Sequence, residues 1–92
     1  MNTDNIQFDL TRHTVLVTGS SRNVGRVIAE EFLAAGARVV FHGTEARSLD
    51  GIRASHANAF ETGTARRVTF DLSQREEIDA AFEELRREDW QP

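Results

Sequence analysis

Three short strand-like runs, each followed by a stretch with helical spacing, predict an α/β fold: the N-terminal β-α-β-α-β-α half of a doubly wound parallel sheet. The runs lie at 15–17, 37–41 and 67–72. The first two, Val15-Leu16-Val17 and Val39-Val40-Phe41, are apolar at successive positions, the pattern of strands covered by helices on both faces. Each gap between runs can hold a crossover helix. Right-handed crossovers stepping outward from the first strand give the spatial order 3-2-1.

The elements follow in order. Residues 1–12 form a lead-in, of which 1–9 are polar apart from Ile6 and Phe8, and the domain occupies 13–92. After the first strand, Val24, Val27, Ile28, Phe32 and Ala35 recur at helical spacing, and Gly36 stands where such a helix would stop. The second strand leads into a turn over 42–47. A weaker helix over 48–60 is carried by Leu49, Ile52 and Ala59, and a loop containing Gly63 precedes the third strand. Ser73 and Glu76 have capping-box spacing, and Ile78, Phe82 and Leu85 continue as a helical stripe.

The most informative segment is Thr14-Val15-Leu16-Val17-Thr18-Gly19-Ser20-Ser21-Arg22-Asn23-Val24-Gly25: strand, tight turn, helix. Such a turn directs backbone N–H groups and the positive end of a helix dipole into one small space, which is a place for a phosphate. Gly19 and Gly25 bracket it as a dinucleotide fingerprint requires. The hydroxyls of Ser20 and Ser21 suit phosphate oxygens, and the guanidinium of Arg22 suits a ribose 2′-phosphate.

From Phe8 to the last residue the chain resembles the short-chain dehydrogenase/reductase family, in the branch that includes 3-oxoacyl-carrier-protein reductases. Phe8-Asp9-Leu10 is similar to that family's approach to its first strand, Thr18-Gly19-x-x-x-Asn23-x-Gly25 to its Thr-Gly-x-x-x-Gly-x-Gly loop, and Asp71-Leu72 to its adenine-binding pair. The resemblance implies a Rossmann-type sheet with Gly19, Ser20, Ser21, Arg22, Asn23, Val24 and Gly25 around the phosphates. It also implies Thr44 at the ribose, with Asp71 accepting from the adenine amino group and Leu72 lining its slot. Asp71 has a competing reading as a strand-end cap for the third helix. Asn23 replaces the family's middle glycine, and asparagine enters the left-handed region at modest cost.

Gly43 occupies the place where an acid would hold the ribose 2′-OH of NAD and repel a 2′-phosphate. With Arg22 and Thr44 nearby, the expected cofactor is NADP rather than NAD, and Gly43→Asp is expected to move the preference toward NAD. The implied activity is hydride transfer between a nicotinamide and a carbonyl or alcohol. The chain has no tyrosine, so the family's proton donor is missing, and no catalytic residue is assigned. The catalytic Ser, the Tyr-x-x-x-Lys pair and the substrate pocket are expected beyond Pro92, in a complementary C-terminal half. The alternatives are a non-catalytic nucleotide-binding module and an interaction module that recruits a strand.

A net charge of −4 argues against nucleic acid as a partner. No segment approaches the roughly 20 apolar residues of a membrane span, and 1–13 holds no signal-peptide core. The absence of cysteine suits the cytoplasm and removes thiolate metal sites. His13, His42 and His56 lack metal-ligand spacing and read as surface or satisfied polar histidines. The carboxylates of 76–89 read as a solvated helix face. Trp90 is expected to pack on the missing half or a neighbouring chain. In a 3-2-1 sheet the first strand is an apolar open edge, so self-association or strand complementation through it is expected.

Overall fold

The computed structural model describes residues 10–92, so Ile6 and the Phe8-Asp9 part of the lead-in lie outside the described residues. Strands β1 (Thr14–Val17), β2 (Arg38–Gly43) and β3 (Ala65–Thr69) form one parallel sheet with β2 in the middle. The register sets Val15 beside Val39, Val17 beside Phe41, Val39 beside Ala65 and Gly43 beside Thr69. The order is the expected one, and it brings the C-terminal ends of all three strands to one edge of the sheet.

Helix α1 (Asn23–Ala34) follows β1. It ends in a Schellman motif: the Gly36 N–H donates to the Leu33 carbonyl and the Ala37 N–H to that of Phe32, each at 3.1 Å, with Gly36 at φ 99°. The stop read from Gly36 is therefore present, and it turns the chain directly into β2.

The single helix expected over 48–60 is instead a 3-10 turn (Ala46–Leu49) and two short helices, α2 (Asp50–Ser55) and α3 (Ala57–Thr62). The break falls at His56 (φ −127°, ψ 38°), whose ring stacks on Phe41 and bonds to Glu30. A straight helix would have to give up these contacts. The kink also lets Leu49, Ile52, Ala59 and Phe60 reach one cluster.

Strand β3 ends at Thr69 rather than Leu72, although the Phe70 N–H still reaches the Gly43 carbonyl at 3.4 Å. The capping box does not form. Helix α4 (Arg75–Arg87) starts after Gln74 with no side-chain cap. The turn is closed one step earlier, where Asp71 Oδ1 accepts from the Ser73 N–H (2.9 Å) and hydroxyl (2.7 Å), and Glu77 Oε1 accepts from the Asp71 N–H.

The core has two sides because β2 is covered on both. Val39 and Phe41 face α1, α2 and α3 with Ala29, Leu49 and Ile52. Val40 faces α4 with Val68, Phe70, Ala81 and Leu85. Trp90, expected to seek another chain, packs at home: it joins the α4-side cluster, and the Arg38 guanidinium lies 3.9 Å from its ring centroid. Strand β1 contributes Val15 and Val17 to one side and Leu16 to the other, yet it is only half-buried along its length because nothing pairs with its outer edge among the described residues.

Glu30 ties α1 to the helix break. Its Oε2 accepts from His56 Nε2 at 2.7 Å and from Arg26 Nε at 3.0 Å, and Arg26 also donates to Ser55 Oγ. The hydrogen bond from His56, followed by the bond and charge of Arg26, holds the Glu30 carboxyl below the usual glutamate range despite partial burial. A lowered carboxyl stabilises the fold above its ordinary value and loses that contribution as pH falls through the lowered one. Glu30→Gln is therefore expected to lower the thermal midpoint by a few degrees near neutral pH. The gap to the parent should close as pH falls from the ordinary glutamate range through the lowered value, as followed by circular dichroism.

Candidate nucleotide-binding site

The C-terminal ends of β1, β2 and β3 meet the start of α1, the 3-10 turn and the turn before α4. Leaving β1, the chain reverses through two residues in the left-handed region, Gly19 (φ 63°) and Asn23 (φ 58°). Asparagine in place of the middle glycine thus takes up the backbone that a glycine would supply, as expected of a side chain that tolerates this region. Arg22 stands extended at the head of α1 without a side-chain cap, and the first turn of the helix carries no acid.

Gly25 explains how closely α1 meets the turn. A Cβ at this position would lie 2.2 Å from the Gly19 carbonyl oxygen and 3.2 Å from the Ser20 Cα. Only a residue without a side chain lets the helix begin against the loop, the packing role of a fingerprint glycine.

Behind the turn lies a residue that sequence reasoning left in the background. His42, 2% exposed, is the penultimate residue of β2. Its Nδ1 accepts from the Gly19 N–H at 2.9 Å, and its Nε2 lies 2.9 Å from the Phe70 carbonyl. A backbone N–H can only donate and a carbonyl only accept, so the two partners together select the neutral Nε2–H tautomer. The Ser20 hydroxyl accepts from the His42 N–H at 2.8 Å, and the Ser20 N–H donates to the His42 carbonyl at 2.9 Å. The reading of His42 as a satisfied polar histidine describes it correctly but understates it, since one ring joins the ends of three strands. The signal in the sequence was a histidine closing the apolar run Val39-Val40-Phe41.

These bonds sort the predicted residues. The Gly19 N–H and the buried Ser20 hydroxyl are engaged inside the protein. Ser21, Arg22 and Thr44 instead line a cleft of about 250 Å³ with Glu45 and Ser48. Arg22 is exposed and carries no ion pair among the described residues, whereas Glu45 pairs with Arg47 at 3.3 Å. Val24 is 71% exposed on the first turn of α1.

Gly43 is buried under the 3-10 turn. A Cβ there would lie 2.5 Å from Ser48 Oγ and 3.3 Å from Leu49 Cγ, so an aspartate at this position cannot enter without displacing Ser48. The simple expectation for Gly43→Asp therefore overlooked a neighbour five residues on.

Asp71 and Leu72 lie just past β3, Leu72 exposed and Asp71 half-buried. Hydrogen bonds from the Ser73 N–H and then its hydroxyl hold the Asp71 carboxyl below the usual range. Asp71 closes the turn before α4 without capping the helix as its structural reading expected, since the N-cap is Gln74 and has no side-chain cap.

Two substitutions test this architecture. Gly25→Ala is expected to destabilise the fold by about 2–3 kcal/mol or more, as an overpacked contact against rigid backbone does. His42→Leu leaves the Gly19 N–H and the Phe70 carbonyl without partners, at about 1–3 kcal/mol each. His42→Asn, whose side-chain oxygen can replace Nδ1, should recover part of the loss. Urea denaturation, with hydrogen exchange at the Gly19 amide, measures both.

The family described as short chain dehydrogenase matches residues 13–90. The chain is 39% identical over 70 residues to the 3-oxoacyl-[acyl-carrier-protein] reductase FabG of Aquifex aeolicus, covering 76% of this chain and 28% of that protein. It is 40% identical over 74 residues to dehydrogenase/reductase SDR family member 1 of Mus musculus, covering 79% and 23%. Among solved structures, a "putative gluconate dehydrogenase" from Agrobacterium tumefaciens superposes with a TM-score of 0.80 at 38% identity, covering 91% of this chain and 32% of that one. A short-chain dehydrogenase from Streptomyces avermitilis gives 0.64 at 31% identity, covering 76% and 24%. The chain thus spans about a quarter to a third of the length of these relatives. The match along 13–90, the parallel sheet with its glycine turn, and these relatives agree: the chain belongs to the short-chain dehydrogenase/reductase family.

Proposed function

We propose that this chain is the NADP(H)-binding part of a reductase that moves a hydride between a nicotinamide and a carbonyl or alcohol carbon. The observation that carries the reading is the contact of Gly25 with Gly19, which brings an uncapped helix end with no acid in its first turn against a tight loop. An anion is stabilised at such an end by the first-turn N–H groups and the helix dipole. The pyrophosphate of a dinucleotide would sit there, over Ser21, Arg22, Asn23, Val24 and Gly25. Gly19 and Ser20 act from beneath, by shaping the turn that His42 holds.

The cleft of about 250 Å³ falls below the roughly 300–1,000 Å³ of a complete ligand pocket and suits one end of the molecule. We place the adenosine ribose and its 2′-phosphate there, with Arg22 and Thr44 donating. Arg22 has no competing partner among the described residues, and Arg47 offsets the one nearby acid, Glu45. Asp71 would accept from the adenine amino group through the oxygen that Ser73 leaves free, with the exposed Leu72 against the ring. The nicotinamide supplies or takes the hydride. The proton donor and the substrate pocket lie outside these 92 residues, which contain no tyrosine. The half-buried β1 edge and the exposed Val27 and Ile28 of α1 support association with a complementary half or a second copy.

Titration calorimetry of the full chain should give tighter binding of NADP than of NAD, and Arg22→Ala should erode that preference about tenfold, the effect of one charge-assisted contact. Tighter NAD binding, or a ratio untouched by the substitution, would refute the cofactor assignment. Turnover of NADPH with a ketone by the chain alone would refute the division of labour. In sedimentation the chain should run larger than a monomer, and a sharp monomer with fully protected β1 amides would contradict the edge argument.

A further inference from the structure

We infer that Ser48 is a specificity-determining residue of the cleft: it occupies the volume that a side chain at position 43 would need, and so keeps a carboxylate away from the ribose 2′ position. The inference rests on the dinucleotide reading above and deepens it. Position 43 is where an acid would select NAD, yet glycine there is read as merely permissive if the sequence is taken alone. The structure adds a steric reason for the glycine. Ser48 Oγ stands 2.5 Å from the Cβ that any other residue would carry, backed by Leu49 Cγ at 3.3 Å and Cδ2 at 3.5 Å.

Ser48 yields only by giving up a hydrogen bond. Its hydroxyl donates to the Glu45 carbonyl at 2.6 Å, and the same carbonyl accepts the Ser48 N–H at 3.1 Å, closing the 3-10 turn. Swinging the side chain aside would break the first bond. Leu49 is fully buried in the core beneath, so the turn cannot retreat as a body. What lines the cleft at this point is therefore a neutral oxygen whose single proton is already directed at Glu45. It neither repels a 2′-phosphate nor grips one, and the discrimination passes to Arg22 and Thr44, which line the same cleft. Cofactor choice at position 43 is thus held by a pair, Gly43 and Ser48, and an acid at 43 becomes effective only when Ser48 is cut back.

The test is a double-mutant cycle in the full chain, read by thermal unfolding and by titration with NADP and NAD. Gly43→Asp alone should lower the unfolding midpoint by about 5 °C or more, and Gly43→Ala, which adds only the Cβ, should lower it in the same direction. Adding Ser48→Ala should recover most of either loss. The NADP-to-NAD affinity ratio should then fall about tenfold further in the Gly43→Asp, Ser48→Ala pair than in Gly43→Asp alone, the size of one hydrogen-bonded discrimination. Additive losses of stability, with no recovery, would overturn the inference. Recovery of stability with equal ratios in the single and double variants would reduce Ser48 to a packing contact and overturn its role in specificity. If the parent chain binds neither nucleotide, the dinucleotide reading itself falls and the specificity role with it, whatever the stability cycle shows.

Discussion

One buried imidazole holds the business end of this sheet together. Parallel strands leave their last peptide groups facing the space where the connecting loops depart, and regular pairing does not satisfy all of them. His42 reaches from the middle strand to both neighbours, accepting a hydrogen bond from the Gly19 N–H and donating one to the Phe70 carbonyl. The turn that follows β1 and the turn that follows β3 are thereby referred to a single rigid point. The bond to Ser20 fixes the backbone of His42 in return, so the clamp and the loop position each other. A lateral tie of this kind matters most in a three-stranded sheet, which has few neighbouring elements to brace its loops.

The parts of the fold that depend on local chemistry were readable from the residues. Continuous apolar runs marked the first two strands, while β3, with Arg66 and Arg67 in it, was displaced by a few residues, and Gly36 marked a helix stop that the backbone realises. The asparagine in the glycine-rich turn was compatible with the left-handed geometry it adopts. What could not be read depends on partners distant in sequence. The break at His56 is favoured by Phe41 and Glu30, respectively 15 and 26 residues away. The capping box does not form: the Ser73 N–H from which Glu76 would have accepted donates to Asp71, and the helix begins one residue later, after Gln74, which spacing alone does not resolve. In the candidate site, the residues on the turn were legible as a set. The division into those facing the cleft and those braced from behind was not, because it follows from the burial of His42.

The two sides of the core arise from a change of face. The chain passes twice across one side of the sheet, through α1 and then α2 and α3, before α4 covers the other. Gly25 and Gly43 mark two close approaches, one of α1 to the backbone of the Gly19–Ser20 turn and one of β2 to the side chains of Ser48 and Leu49. Both adjoin residues that line the cleft, so a side chain at either position would disturb its shape.

The two edges of the sheet are chemically unlike. Along β3, Arg66 bonds to Glu84 and Glu88 on one face while Arg67 bonds to Asp50 on the other, so a newcomer would meet charge above and below. Along β1 it would meet Val15, Leu16 and Val17. Charged flanks discourage strand addition, and apolar ones invite it. Among the described residues, then, only the β1 edge has flanks that would admit another strand. Were two copies to meet through it, each would present a guarded β3 to the outside and the assembly would terminate at a closed pair. A chain with two β1-like edges would instead propagate into a filament.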